Sequence, residues 1–404
     1  MKLKDFKHLK DSYIHLERYV NGGSRTYSQY SGINELDVKY HPTGDNPSFE
    51  VPIYKIPHEK AMVWTSSLKE PFSSEYIQDD GVLFAVHPEI INDDSVDYMQ
   101  EIRKYPKVKS IRVSPTASSR TVLVLEPETT LPGYFLKLHC PRKISRFYRR
   151  HRAAIIKLGI DVSEELMKVD LPSFGMMPKP LGMACGNMEN GWGYSIRNYD
   201  PYPVIKNRAL IPFFALFSQD IIHTGDPIIL QQLIDMHGQD PAEFVLNKIM
   251  FPLIETWCHV HRKTGIILAP HAQNILLEVD TNLMPQRIIH RDFVVSVDRK
   301  RRNDDRLDSL EHRMLTTEEM RVKSYSLIYD SFIGHHLFDY IAKAMKEIYG
   351  VETNVLQSGC KEAFKKYFPD VNSYMDNNTY YYSDQLSADN SCKVIETNKP
   401  PTWR

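Results

Sequence analysis

Four groups of residues have the types and spacing to do chemistry, and all four suit phosphate oxygens. The first is SPTASSRT, Ser114 to Thr121. Ser118, Ser119 and Thr121 offer short hydroxyl donors and Arg120 a forked one, a combination that holds phosphate. A serine-rich turn beside a surface arginine would read the same way. The second group is Lys137, followed by Ser145 and Arg149 in the basic run PRKISRFYRRHRAAIIKLG. Arg142, Lys143, Arg146, Arg150 and Arg152 crowd that run and repel one another unless an anion or an acidic surface faces them. A polyanionic ligand is the natural answer. The alternatives are a solvated basic face, or an RNA-binding stripe with Phe147 and Tyr148 interleaved. The third group is HAQN, in which His271, Gln273 and Asn274 could contact a phosphate and its metal ion, because amide oxygens suit hard cations such as Mg2+. A lone histidine is more often structural. The fourth is HRDF, whose Asp292 becomes a metal-ligand candidate beside Asn274 if the two segments form a hairpin.

These residues need elements to hold them. SIRVS with RTVLVLE, and then GYFLKLHC, are β-branched and aromatic runs separated by Pro127, Pro132 and Gly133, and read as neighbouring strands. Pro141 and Gly159 bracket a predicted helix, with Ile144, Phe147, Tyr148 and Ala154 near helical spacing. It would carry Ser145 and Arg149, with Arg149 and Lys137 facing solvent. WGYSIRNY suggests more sheet. From Ala242 to Thr264, the stripe Val245, Ile249, Leu253, Trp257 and Val260 predicts a long amphipathic helix ended by Gly265. ILAPHAQNILLEV and RIIHRDFVVSVD read as two strands joined at Asp280-Thr281-Asn282, and Met320 to Tyr349 as one or two helices. The expected fold is α+β in three parts: an irregular N-terminal domain over residues 1–110, a sheet-rich middle domain over 111–240, and a helix-rich C-terminal domain over 241–404.

Composition narrows the classes. A chain of 404 residues with 42% hydrophobic and 25% charged residues is that of a folded protein of two or three domains. Lys and Arg total 50 against 51 Asp and Glu, so no global field gathers the chain onto nucleic acid or an anionic membrane. The opening MKLKDFKHLKDSYIHLERY has no apolar core and reads as neither a secretory signal nor a transmembrane start. The most apolar stretch, Ala209–Phe217, is interrupted by Pro212 and falls well short of the roughly 20 residues a spanning helix needs. The 5 cysteines are odd in number, dispersed and without a CxxC pair, which fits a reduced cytoplasm.

In this order, the groups resemble the siderophore synthetases that work independently of nonribosomal peptide synthetases, the aerobactin synthetase type. The resemblance runs over roughly residues 80–345. It rests on Ser118-Ser119-Arg120-Thr121, on Lys137 with Ser145 and Arg149, on Tyr194 to Arg197 and on Trp257. His271-Ala272-Gln273-Asn274 and Arg291-Asp292-Phe293 complete it. It implies ATP-dependent condensation of a carboxylic acid with an amine or alcohol through an acyl-adenylate. Lys137, Arg149, His271 and Arg120 would stabilise charge at the α-phosphorus. Ser118, Ser119, Thr121, Ser145, Gln273, Asn274 and Asp292 would bind ATP, with Mg2+ on Asn274 and Asp292 and the substrate on Arg197. It further implies ATP in a cleft between the middle and C-terminal domains, and a homodimer, with neither nucleic acid nor membrane as partner. Two departures stand out. The N-terminal region is shorter, which implies a reduced substrate-covering domain, and Ala269 stands where the family often has Glu.

Two rival readings are weaker. A kinase-like phosphotransferase would need an Asp a few residues before Asn274 to orient a hydroxyl, and none lies between His271 and Asn274. A non-catalytic nucleotide- or siderophore-binding relative would accommodate Ala269 and the short N-terminus.

Overall fold

The computed structural model describes residues 2–3, 9–25, 33–145, 147–293, 295–308, 310, 314–315, 317–386 and 392–404. Arg146 of the basic run lies outside them. Two compact units share the chain. One holds Tyr30–Met167 and Met176–Val204, and the other Met1–Gln29, Lys168–Gly175 and Ile205–Arg404.

The first unit is built on a nine-stranded sheet: β1 (Phe49–Ile56), β2 (Ala61–Thr65), β3 (Ile77–Gln78), β4 (Gly81–Ala85), β5 (Lys107–Pro115), β6 (Thr121–Val124), β7 (Tyr134–Lys137), β8 (Leu181–Cys185) and β9 (Trp192–Asn198). Their spatial order is β2-β8-β9-β7-β6-β5-β1-β4-β3, and neighbouring strands run antiparallel. The strands expected from SIRVS, RTVLVLE and GYFLKLHC are β5, β6 and β7. The sheet thus draws strands from both of the first two expected segments.

Side-chain alternation gives the sheet two unlike faces. Val122, Val124, Leu136, Tyr194 and Ile196 belong to the main core with Phe84 and Leu181. The opposite face carries Thr121, Lys137, Ser195 and Gly182, which stand opposite one another across β6, β7, β9 and β8. A helix, Ala153–Met167, lies against that second face through Ala153 and Ile156. It comes so close that a Cβ on Gly182 would sit 2.3 Å from Ile156 Cγ2.

The helix expected from Pro141 to Gly159 does not form as such. Cys140–Ile144 and Phe147–Arg149 make a short antiparallel hairpin, and the helix begins only at Ala153. Ser145 turns the chain with φ +60°, a conformation that ends any right-handed helix. Residues 33–35 then hold the hairpin as a third segment: Ser145 N–H donates to Ile33 O at 2.7 Å and Glu35 N–H to Lys143 O at 2.9 Å. In a hairpin the basic side chains spread over two strands instead of stacking on one helix face.

The second unit is mainly helical. The helix Phe251–Thr264 is continuous with Pro241–Val245 through a π-helical stretch at Leu246–Met250, and Gly265 ends it at φ +65°. Its Trp257 is buried against Tyr329 and Phe368. Helices at Glu318–Leu327 and Asp339–Tyr349 are joined by a second π-helical stretch, Ile328–Phe338. The expected hairpin of Ile275–Val279 and Pro285–His290 forms, in register from Ile275 opposite His290 to Glu278 opposite Arg287, with a bulge before Val279 meets Pro285. No described helix is long and apolar enough to cross a membrane.

Candidate phosphate-binding site

On the second face of the sheet, Lys137 sits directly between Thr121 and Ser195. One register step away on the same face, Phe135 stands opposite Arg197, whose guanidinium carbon lies 4.4 Å from the ring centre. Lys137 is not solvent-facing, as the sequence suggested, but only 4% exposed, and Arg197 is 5% exposed. Two cations on the buried face of central strands are costly unless anionic groups meet them.

The SPTASSRT turn is held by its own hydroxyls. Thr116 Oγ1 donates to Thr121 O at 2.6 Å, and Ser118 Oγ accepts the Thr121 N–H at 3.1 Å. Ser119, at φ +63°, is buried, and its hydroxyl accepts from Asn34 Nδ2 at 3.1 Å. Ser118 and Ser119 therefore shape the turn. Arg120 reaches across it, donating from Nη1 to Leu138 O at 3.3 Å and to Arg149 O at 3.1 Å. Arg149 in turn donates from Nε to Ile144 O at 3.1 Å. Both guanidiniums are thus held by hydrogen bonds to backbone carbonyls, which fix their positions. Ser145 Oγ is buried and meets no hydrogen-bond partner among the described residues.

Two other cations of the basic run differ. Arg142 pairs with Asp93 at 2.8 Å and with Glu89 at 3.7 Å, and Arg152 with Asp97 at 3.8 Å. Carboxylates of the same unit answer these charges, whereas among the described residues Arg149 has no carboxylate partner.

The sequence reading missed three histidines nearby. His139 is stacked on Trp192 with ring centres 4.6 Å apart and accepts the His151 N–H at 3.1 Å, while His151 Nε2 lies 3.0 Å from Ser195 Oγ. Burial, then the charges of Arg120 and Arg152, hold His139 well below its ordinary value. Burial, Arg142 and Arg120 press His87 down to about 3. Burial is the larger cause at both imidazoles, and the charge of Arg120 adds to it at each. Alternation along β7 could have flagged His139, two residues beyond Lys137. Nothing in the sequence links His151 to Ser195.

The remaining candidates lie in the helical unit. HAQN forms the turn into one strand of the hairpin and RDF leaves the other. Arg291 N–H donates to Asn274 O at 3.0 Å, and Asn274 N–H to His271 O at 2.8 Å. Asn274 Nδ2 donates to Ala269 O at 3.1 Å. His271 packs edge-on against Phe332, with centroids 5.4 Å apart. Arg291 Nε donates to Gln273 O at 2.6 Å and Nη1 to Tyr13 at 2.7 Å, while the guanidinium pairs with Glu17. Burial works against that charge, but Glu17 and Tyr13 outweigh it and hold the guanidinium above its ordinary value. Asn274 and the half-buried Asp292 thus lie close to one another at the ends of the paired strands, and both carry oxygen atoms of the type a hard cation takes. The structure thus brings Ser118, Ser119, Arg120, Thr121, Lys137, Ser145, Arg149 and Arg197 into one unit. It brings His271, Gln273, Asn274 and Asp292 together in the other.

A family model described as "Ferric iron reductase FhuF-like transporter" matches residues 249–387, the span that contains both HAQN and RDF. No curated protein matches by sequence. Solved structures do match. The petrobactin biosynthesis protein AsbB from Bacillus anthracis has a TM-score of 0.69 at 12% identity, over 96% of this chain and 74% of AsbB. ATP-bound aerobactin synthetase IucA from Klebsiella pneumoniae has a TM-score of 0.67 at 14% identity, over 92% of this chain and 73% of IucA. Aerobactin synthetase IucC from the same source has a TM-score of 0.62 at 15% identity, over 84% of this chain and 66% of IucC. The resemblance read from the motifs therefore holds at the level of the fold, which is that of the siderophore synthetases.

Proposed function

We propose that this protein is an ATP-dependent synthetase of the siderophore type, which joins a carboxylic acid to an amine or alcohol. The carrying observation is the buried row Thr121–Lys137–Ser195, with Arg197 one step away and Arg120 and Arg149 pinned on carbonyls. That a neighbour of the same fold is an ATP-bound synthetase supports it.

A carboxylate oxygen attacks the α-phosphorus of ATP and the bond to the β-phosphate oxygen breaks, releasing pyrophosphate. The amine or hydroxyl then attacks the acyl carbon, loses its proton, and AMP leaves. The first step gathers negative charge on the phosphoryl oxygens. Lys137, Arg120 and Arg149 face that charge from fixed positions, so they stabilise the transition state more than the ground state. Thr121 and Ser145 add neutral donors, and Arg197 receives the carboxylate of the acid. Within the helical unit, His271, Gln273, Asn274 and Asp292 form a candidate group of their own, in which Asn274 and Asp292 would hold Mg2+, an ion that neutralises phosphate charge when bound. No base is required for the first attack, because a carboxylate is already ionised at pH 7.

The test is product analysis across di- and tricarboxylic acids. With its correct acid, the enzyme should release AMP and pyrophosphate, and hydroxylamine should trap the activated acid as a hydroxamate. Stoichiometric ADP without AMP would sink the adenylating reading.

A further inference from the structure

A second constellation lies apart from these residues, within the helical unit. His15, Asp220 and His223 converge so that one ligand atom from each lies within 4.8 Å of the other two. His15 Nε2 is 2.7 Å and His223 Nδ1 3.1 Å from the same oxygen, Asp220 Oδ2. His15 belongs to the helix Leu9–Tyr19, whereas Asp220 and His223 belong to the loop before the helix Ile229–His237. From the geometry we propose that His15, Asp220 and His223 form a binding site for a divalent late first-row transition ion of the zinc class.

The loop is shaped for the task. Asp220 Oδ1 accepts the backbone N–H groups of Ile222 and His223, at 2.8 and 3.1 Å, which turns Oδ2 toward the imidazoles. Gln219 Nε2 braces the loop on Thr224 O and Asp226 O, both at 3.0 Å. Ile221 N–H donates to Tyr19 O at 3.1 Å, fixing the loop against the end of the helix that carries His15. A supported carboxylate and two ring nitrogens from two elements form a preorganised ligand set. Ligands about 2.0–2.2 Å from a tetrahedral ion stand about 3.3–3.6 Å apart, so the 3.1 Å separation is already close, and the hydrogen-bonded 2.7 Å one has to open by about 0.6–0.9 Å to admit an ion.

The donor set selects the metal. Two imidazoles and one carboxylate suit zinc and its neighbours, not magnesium or calcium, which take oxygen. Three protein ligands are the number that leaves a zinc-type ion a further coordination position, and the His223 side chain is 48% exposed. Nothing in this site depends on the reaction proposed above.

The experiment is titration of tag-free, metal-stripped full-length protein with Zn2+ by calorimetry and with Co2+ by visible absorption. Wild type should bind about one equivalent of Zn2+, unaffected by millimolar Mg2+, and develop Co2+ ligand-field bands. Losing a ligand costs at least what losing its supporting group does, roughly 10–100-fold, so H223A and H15A should each weaken Zn2+ by that much and bleach the bands. Half-exposed His223 can be replaced without disturbing the fold, so H223A is the deciding variant. H335A serves as the control, since the exposed pair His335–Asp339 offers only one imidazole and one carboxylate. Wild type without saturable binding, or H223A with unchanged affinity, would overturn the site.

Discussion

Replacing Glu17 with glutamine should destabilise the helical unit strongly, because it leaves Arg291 charged and nearly unhydrated. The side chains are 1% and 5% exposed, so water cannot substitute for the lost carboxylate. Arg291 cannot shed its proton, and Tyr13 and Gln273 O supply hydrogen bonds but no counter-charge. Breaking one side of such a buried pair costs about 3–5 kcal/mol. At about 2–4 °C per kcal/mol for a unit of this size, the transition should fall by about 6–20 °C. The measurement is thermal unfolding followed by near-ultraviolet circular dichroism, with urea denaturation for the free energy. The double variant Glu17→Leu with Arg291→Met should recover much of the loss, because the desolvation penalty disappears with both charges. A drop below about 2 °C for Glu17→Gln would refute the claim that this pair anchors the turn bearing Gln273.

Three further outcomes are expected. Lys137→Met, which keeps the packed stem of a buried lysine, and Arg149→Ala should each lower turnover by about 100-fold or more; steady-state rates within twofold of wild type for both would remove them from the phosphate site. Asp292→Asn should raise the Mg2+ concentration needed for half-maximal activity, with excess Mg2+ restoring part of the rate; a large fall in melting temperature with unchanged Mg2+ dependence would make Asp292 a structural residue. His290 is pushed down to about 3 by burial, so between its ordinary 6.5 and about 3 the unfolded chain binds a proton that the folded chain refuses, and stability falls as pH falls, by up to about 1.4 kcal/mol per pH unit. Urea titrations between pH 7 and 5 should show a shallower slope for His290→Gln than for wild type, and identical slopes would contradict the burial argument.

What the sequence disclosed depended on how local the information was. The HAQN and RDF strands were readable because two apolar runs flank a turn at Asp280, whose carboxylate accepts the N–H groups of Asn282 and Met284 at 2.8 and 3.0 Å. The helix through Trp257 was readable from its stripe and its terminal glycine, although no pattern announced the π-helical stretch before Phe251. The basic run misled because Pro141 and Gly159 imitate helix ends. Its true form depends on residues 33–35, more than 100 positions away, and on the left-handed turn at Ser145. Of the site, the hydroxyl and cation types were legible, but not their burial. That Lys137 stands between Thr121 and Ser195 is a fact of strand order, which no short window of sequence contains.

The Glu17–Arg291 pair also sets a timetable for synthesis. Its partners are 274 positions apart in the chain, so a ribosome adding about 5–20 residues per second delivers the arginine roughly 15–55 s after the glutamate. Throughout that interval the amino-terminal helix has emerged without the strand end that neutralises it, and its apolar residues Tyr13 and Leu16, fully buried at the end, have nothing final to cover them. The unit they complete cannot close until the strand end at Arg291 has been made. Chaperone demand should therefore fall on the Leu9–Tyr19 helix for the whole of that interval.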